Sequence, residues 1–172
     1  MIGKLETVPA LSATDLLAAP VAAAVHDPDI LVAPIDPTLA DTAEFCAAYD
    51  VGLDQSANCV VVAGKRDGVI RYAACVILAT TRADVNGVVR KRLDVRKASF
   101  APMDDAVSLT AMEYGGITPI GLPPDWPVLI DSRVVDVPLV IVGSGLRRSK
   151  IVLPGAALAR LATAEVITDL AR

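Results

Sequence analysis

Apolar positions along the chain fall into short runs broken by turn residues, and their spacing switches between strand-like and helix-like periods. Leu17, Val21 and Val25 recur once per helical turn and predict a helix over Leu16–Val25. Pro28, Pro34 and Pro37 make residues 26–38 an extended connection. Thr42–Tyr49 predicts a helix capped by Asp41 or Thr42, with Phe45, Cys46 and Tyr49 on one face. Asn58–Gly64 and Val69–Ala79 predict two strands joined by the turn Gly64-Lys65-Arg66-Asp67-Gly68, a hairpin signal. Asp84 caps a short helix to Leu93, and Val95–Phe100 reads as a strand. Pro102, followed by Asp104 and Asp105, starts a helix running to Ala111. Val128–Ile130, Pro138–Val142 and Lys150–Leu153 predict three further strands. Pro154 opens a last helix through Leu161, and Val166–Ile167 adds an edge strand. Helices and strands intermixed around a hairpin predict an α+β class. The expected architecture is a single compact domain with a curved mixed or antiparallel sheet and flanking helices, not a doubly wound parallel sheet.

Composition sharpens this picture. A chain of 172 residues is sized for one domain and buries enough surface to fold without disulfides or metal. Hydrophobic residues make up 53% and aromatics only 3%, so Val, Leu, Ile and Ala must build the core. The mean hydropathy of +0.52 raises the question of membrane spans. The longest strand-like apolar runs, Cys59–Ala63, Ala73–Ala79 and Leu139–Val142, fall far short of the roughly 18 residues a span needs. Leu16–Val25 is Ala-rich like a signal-peptide core, but Glu6 and Asp15 precede it and Pro20 interrupts it. No membrane association and a cytoplasmic location are the expectations. Cys46, Cys59 and Cys75 form no CxxC pair and read as buried thiols. His26 is the single histidine, which excludes a multi-histidine metal site. A net charge of −4 argues against nucleic-acid binding through a global positive field, while permitting a local basic patch.

Such a patch exists in the sequence. Arg90, Lys91, Arg92, Arg96 and Lys97 place five of sixteen basic residues within eight positions. They form either a solvated helix face or a surface for an anionic partner, most simply a nucleic-acid backbone. Tyr114-Gly115-Gly116-Ile117-Thr118-Pro119-Ile120-Gly121 is the least ordinary stretch. It is either an ordinary turn or a loop whose main chain approaches a ligand, with N–H groups able to hold a carbonyl or developing oxyanion. Gly143-Ser144-Gly145 follows a strand but lacks a third glycine, where Arg148 stands. It reads as a hairpin turn or as a phosphate contact through Arg147 and Arg148. No carboxylate pair stands out. Asp131 and Glu113 are ligand contacts or, more ordinarily, a strand-end cap and a solvated charge.

Taken in order, these segments resemble the YbaK family, also called the prolyl-tRNA-synthetase-associated editing domain. Thr42-Ala43-Glu44 through Val51-Gly52-Leu53 looks like its helix leading to the first core strand, and Gln55-Ser56-Ala57-Asn58-Cys59-Val60-Val61-Val62 like that strand. Gly115 to Pro119 is similar to the family's GxxxP loop. Val142-Gly143-Ser144-Gly145-Leu146-Arg147-Arg148 into Ile151-Val152-Leu153, then Leu158 and Leu161, resembles its closing hairpin and helix. The likeness spans residues 38–168. It implies an editing domain over 38–172, with residues 1–37 packed on it as an N-terminal helix and extended connection.

The resemblance also implies a trans-acting hydrolase of the ester in a mischarged tRNA, typically a tRNA for proline, by a positioned water or substrate-assisted attack. The cognate synthetase is a candidate partner, and the resemblance implies no metal or organic cofactor. The implied pocket lies between the first core strand and the glycine loop, with Asn58, Gly115, Gly116, Thr118 and Pro119 as catalytic contacts. Cys59, Asp131, Gly145, Arg147 and Lys150 are candidate substrate contacts, and Arg90, Lys91, Arg92, Arg96 and Lys97 the tRNA surface. One departure stands out. The family carries a lysine on the first core strand where this chain has Asn58, and an amide supplies no full positive charge. Lys150 or Lys91 is a candidate to replace that charge. The alternative is a non-catalytic module of the same fold that binds an aminoacyl or nucleotide-like ligand or a protein.

Overall fold

The computed structural model describes residues 2–172 and divides their strands between two sheets. The first orders β1 (Val8–Pro9), β2 (Leu31–Pro34), β8 (Ser149–Leu153) and β7 (Val140–Gly143), antiparallel throughout. The second orders β5 (Ala98–Phe100), β3 (Ala57–Arg66), β4 (Val69–Leu78), β6 (Val128–Asp131) and β9 (Ala164–Ile167). Its β5-β3-β4 part is antiparallel and its β4-β6-β9 part parallel. Around them lie α1 (Ala19–Ala24), α2 (Thr42–Tyr49), α3 (Arg90–Leu93), α4 (Met103–Thr110), α5 (Ser132–Val135) and α6 (Gly155–Leu158). The α+β class is as expected, with two sheets where one curved sheet was anticipated. No helix among the described residues is long and apolar enough to cross a membrane.

The layering explains the unbroken apolar runs. Ala74, Val76 and Leu78 of β4 face the core between the sheets, against Val32, Ile151 and Leu153 of the first. Ala73, Cys75 and Ile77 face the other way, under Val89, Leu93 and Val95. A strand buried on both faces needs apolar residues at every position rather than alternate ones. α2 covers the outer face of the first sheet, with Phe45 and Cys46 packed near Ala33, Ile141 and Val152.

Local chemistry sets the boundaries. Pro20, within the first turn of α1, lacks the N–H that a longer helix would need, so the predicted Leu16–Val25 helix shortens to six residues. Leu17, Val21 and Val25 are nonetheless all buried. The extended connection over 26–38 contains β2, which pairs with β8 inside the first sheet, so this segment contributes to the core rather than lying on the surface. Asp84 accepts from the N–H groups of Gly87 and Val88 and opens a wide helical turn over Val85–Val89 that continues into α3. The strand predicted from Val95 begins only at Ala98, because Val95 N–H still bonds to the Arg90 carbonyl. The helix predicted through Leu161 ends at Leu158.

Candidate functional site: a cavity on the free edge of a strand

β4 occupies one edge of β3. On the other edge Ser56 bridges Ile141 of β7 in parallel, and Val62–Gly64 pair with β5. Ala101 N–H carries that second pairing to the Val61 carbonyl at 2.9 Å. Between these two pairings, around Asn58–Val60, no strand among the described residues pairs with this edge of β3. A cavity of about 450 Å³ opens there. Its walls are β3 from Ala57 to Val61, the end of β7, Ala40–Thr42 ahead of α2, Phe100–Ala101, and Tyr114, Gly115 and Ile117 of the glycine loop.

Two polar side chains from different sheets line this cavity. Asn58 accepts a hydrogen bond from Thr42 Oγ1 at 2.8 Å through its Oδ1, and its Nδ2 has no partner among the described residues. Lys150, on β8, is only 9% exposed. Its Nζ donates to the Ala40 carbonyl at 3.0 Å and lies 5.2 Å from the Phe45 ring centroid, a cation–π contact. An ammonium has three donors, so Ala40 leaves two for other acceptors. Burial first, and the Arg147 charge second, hold the Lys150 pKa below the ordinary lysine value, against smaller opposing effects of Cys46 and Asp41.

The glycine loop is docked against the β7–β8 turn. Gly116 O accepts from Gly145 N–H at 2.7 Å, and a Cβ on Gly116 would lie 2.8 Å from the Leu146 backbone. Gly115 has φ +87°, and a Cβ there would sit 2.1 Å from Arg147 Nη1. The Arg147 guanidinium donates to Asp41 Oδ1, the Tyr114 carbonyl and the Pro37 carbonyl, each at 3.3 Å. One side chain thus ties three segments together around the mouth.

A family model described as an aminoacyl-tRNA editing domain matches residues 36–161, nearly three quarters of the chain. This chain belongs to the aminoacyl-tRNA editing domain family. Solved structures share its fold. A candidate trans-editing enzyme for prolyl-tRNA synthetase superposes with TM-score 0.68 at 19% identity, covering 80% of this chain and 83% of that one. A protein described only as hypothetical gives 0.71 at 22% identity, covering 82% and 90%. A scaffold from epitope-grafting design gives 0.75 at 19%, covering 88% and 95%. No curated protein matches the sequence significantly.

Within the editing domain, the structure gathers Asn58, Cys59, Gly115 and Lys150 at the cavity and places Arg147 against its rim. Other expected contacts lie away from it. Thr118 is fully buried with an unpartnered hydroxyl, and Pro119, further along the loop, is buried as well; neither lines the cavity. Gly116 serves the docking onto the turn instead. Gly145 is buried against Ala18, Val21 and Met112, which requires the missing side chain rather than a ligand. Asp131 is 1% exposed and caps α5. Its carboxylate accepts from the Arg133 N–H and guanidinium and from Ala171 N–H. Burial alone would raise its pKa, and these hydrogen bonds outweigh that and hold it below the ordinary carboxylate value.

The thiol of Cys59 is no ready nucleophile. Burial, with Cys75 beside it, pushes its pKa far up, and burial alone pushes Cys75 up to about 12. The basic segment divides. Arg92 is paired bidentately with Glu165, at 2.7 Å from Nε, and Arg90 Nε donates to the Asn86 carbonyl. Lys91, Arg96 and Lys97 are exposed and make no ion pair among the described residues. Arg148, the other candidate phosphate contact, donates to the Asp15 carbonyl. Sequence reasoning missed Thr42, the Ala40 carbonyl and Phe100 as parts of the site. Only the hydroxyl at the start of α2 carried a signal, and it read as a helix cap.

Proposed function

We propose that this editing domain is a trans-acting deacylase that hydrolyses the ester of a mischarged tRNA, with tRNA for proline as the first substrate to try. The observation that carries this reading is the buried Lys150 ammonium inside a cavity whose floor is the free edge of β3, where Asn58 stands. The aminoacyl ester enters the cavity, and a water, or a nucleophile of the substrate itself, adds to the carbonyl carbon. The bond to the ribose oxygen then breaks, and that oxygen leaves with a proton as a ribose hydroxyl. Negative charge develops on the carbonyl oxygen in between. Lys150 and Asn58 Nδ2 supply fixed donors for it, in a setting where little water competes. An aminoacyl ester is already activated, so holding it against fixed donors supplies much of what the reaction needs. The cognate synthetase is a candidate partner for this reading, and the cytoplasm the compartment that suits it.

One observation favours a second reading. Asn58 Oδ1 is committed to Thr42, and β3 carries no charge at this position, which suits a module that holds an aminoacyl ligand without turnover. Deacylation of a panel that includes Ala-tRNA and Cys-tRNA for proline, with wild type, Asn58→Lys and Lys150→Met, separates the two. Turnover by wild type that Lys150→Met abolishes supports the deacylase. Saturable binding with every ester intact supports the binding module.

A further inference from the structure

The chain holds six aromatic residues in all. Four pair off within the fold: Phe45 lies against Tyr49 with ring centroids 5.3 Å apart, and Tyr72 stacks on Trp126 at 5.1 Å. The remaining two, Phe100 and Tyr114, are 64% and 57% exposed, and both line the cavity. They arrive from different elements, Phe100 at the end of β5 and Tyr114 at the start of the glycine loop. In both cases the main chain is held while the ring is left open. Phe100 sits in register with Val62 of β3, and the Tyr114 carbonyl accepts from Arg147. Neither ring stacks on another among the described residues.

Charge near these rings indicates the kind of occupant. Lys150 stands at the same cavity, and Arg147 at its rim is paired with Asp41. β5 leads from Phe100 straight back to Lys97 and Arg96, which are exposed and without ion-pair partners among the described residues. At about 3.3 Å per residue, Lys97 lies roughly 10 Å along the chain from Phe100. Flat aromatic platforms beside unpaired cations are how single-stranded nucleic acid is held: bases stack on the rings and phosphates follow the positive charge. An apolar protein partner would use the rings but has no use for the cations.

We propose that Phe100 and Tyr114 form the seat for the unpaired 3′-terminal bases of the tRNA, with the adjoining phosphates running toward Lys97 and Arg96. This rests on the editing reading of the cavity and adds which surface grips the nucleic acid. The seat reads base faces rather than base edges, so it tolerates any terminal base.

The probe is a synthetic RNA hairpin with an acceptor stem and a single-stranded 3′ end. Its terminal adenosine is replaced by 2-aminopurine, and alanine is joined through a non-hydrolysable 3′-amide. Stacking on the rings quenches 2-aminopurine emission, and anisotropy of a dye on the stem loop reports binding separately. Wild type is expected to bind and quench. Phe100→Ala and Tyr114→Ala each weaken binding by roughly tenfold and restore emission. Phe100→Trp keeps both signals. Binding with unchanged emission, or alanine variants that bind and quench like wild type, overturns the seat. Variants that change self-association and leave RNA binding intact also overturn it, because the rings are then a protein contact. In each of these cases the deacylation panel still decides the editing reading. Absence of hairpin binding together with intact esters across the panel overturns both.

Discussion

Lys150 and Asn58 face one cavity from different sheets, the ammonium from β8 and the amide from β3. The family resemblance implies a lysine on the strand that carries Asn58; the ammonium that lines the cavity in this chain stands on the other sheet.

If the ammonium acts from its new position, its removal should reduce activity without weakening the fold. Lys150→Met keeps the aliphatic stem and removes a charge that burial disfavours. Deacylation is expected to fall by about a hundredfold or more. The melting temperature is expected at or above that of wild type. The double variant Asn58→Lys with Lys150→Met moves the charge back to β3 and should recover part of the lost rate. An unfolded Lys150→Met protein would count against this account.

The same residue fixes a pH dependence. Lys150 loses its proton below the ordinary lysine value of 10.5, because burial and then Arg147 disfavour the charged form, with Cys46 and Asp41 opposing. Folding stability attributable to Lys150 rises as pH climbs through its folded pKa, since the unfolded chain then binds more protons there. Ligand binding moves the opposite way and weakens as the ammonium discharges. Titrating the affinity for the amide-linked hairpin should show this alkaline loss, and Lys150→Arg should abolish it. An identical alkaline limb in Lys150→Arg would assign the loss elsewhere.

Gly115 tests the loop. Its φ of +87° strains any side chain, and a Cβ there would sit 2.1 Å from Arg147 Nη1, the far end of a side chain that must then move aside. Gly115→Val should cost about 1–2 kcal/mol in backbone strain alone and displace Arg147 from the mouth. Thermal denaturation is expected to show a modest loss, and deacylation a much larger one. Equal proportional losses would mean that the loop only supports the fold.

Asp131 is predicted to be structural. Asp131→Asn should destabilise by about 2 kcal/mol at neutral pH, because a buried charged acceptor of several hydrogen bonds is removed. Its folded pKa lies below the ordinary value of 3.8. The stability it provides is therefore full above that value and disappears as pH falls through the lowered one. The gap between wild type and variant in urea denaturation should close only in strong acid, and deacylation of the folded variant should match wild type.

The long hairpin and α2 were legible because each rests on a local signal, turn chemistry at Asp67-Gly68 and an apolar face with Phe45 and Cys46; the expected cap of α2 is not made, since Asp41 accepts from Arg147 and Thr42 donates to Asn58. The parting of the strands into two sheets was not legible, because Ala73–Leu78 reads as a plain apolar run whichever layers cover it. Asn58 and Gly115 could be located from motif position. The placement of Lys150 depends on β8 crossing to face β3, a long-range arrangement that local pattern does not encode. Thr118 is the opposite case: the motif includes it, but its side chain is buried and does not line the cavity, which motif position alone does not reveal.

A strand with an unpaired edge ordinarily invites a foreign strand, and with it aggregation. In this protein β5 and β7 stand at either end of the gap beside Asn58–Val60 and leave only a few residues of β3 uncovered. No peptide can lie along so short an opening in register, whereas a compact ligand can still reach its amides. The flanking strands therefore act as gatekeepers, leaving a short stretch of the β3 edge open to a compact group while denying it to a second strand.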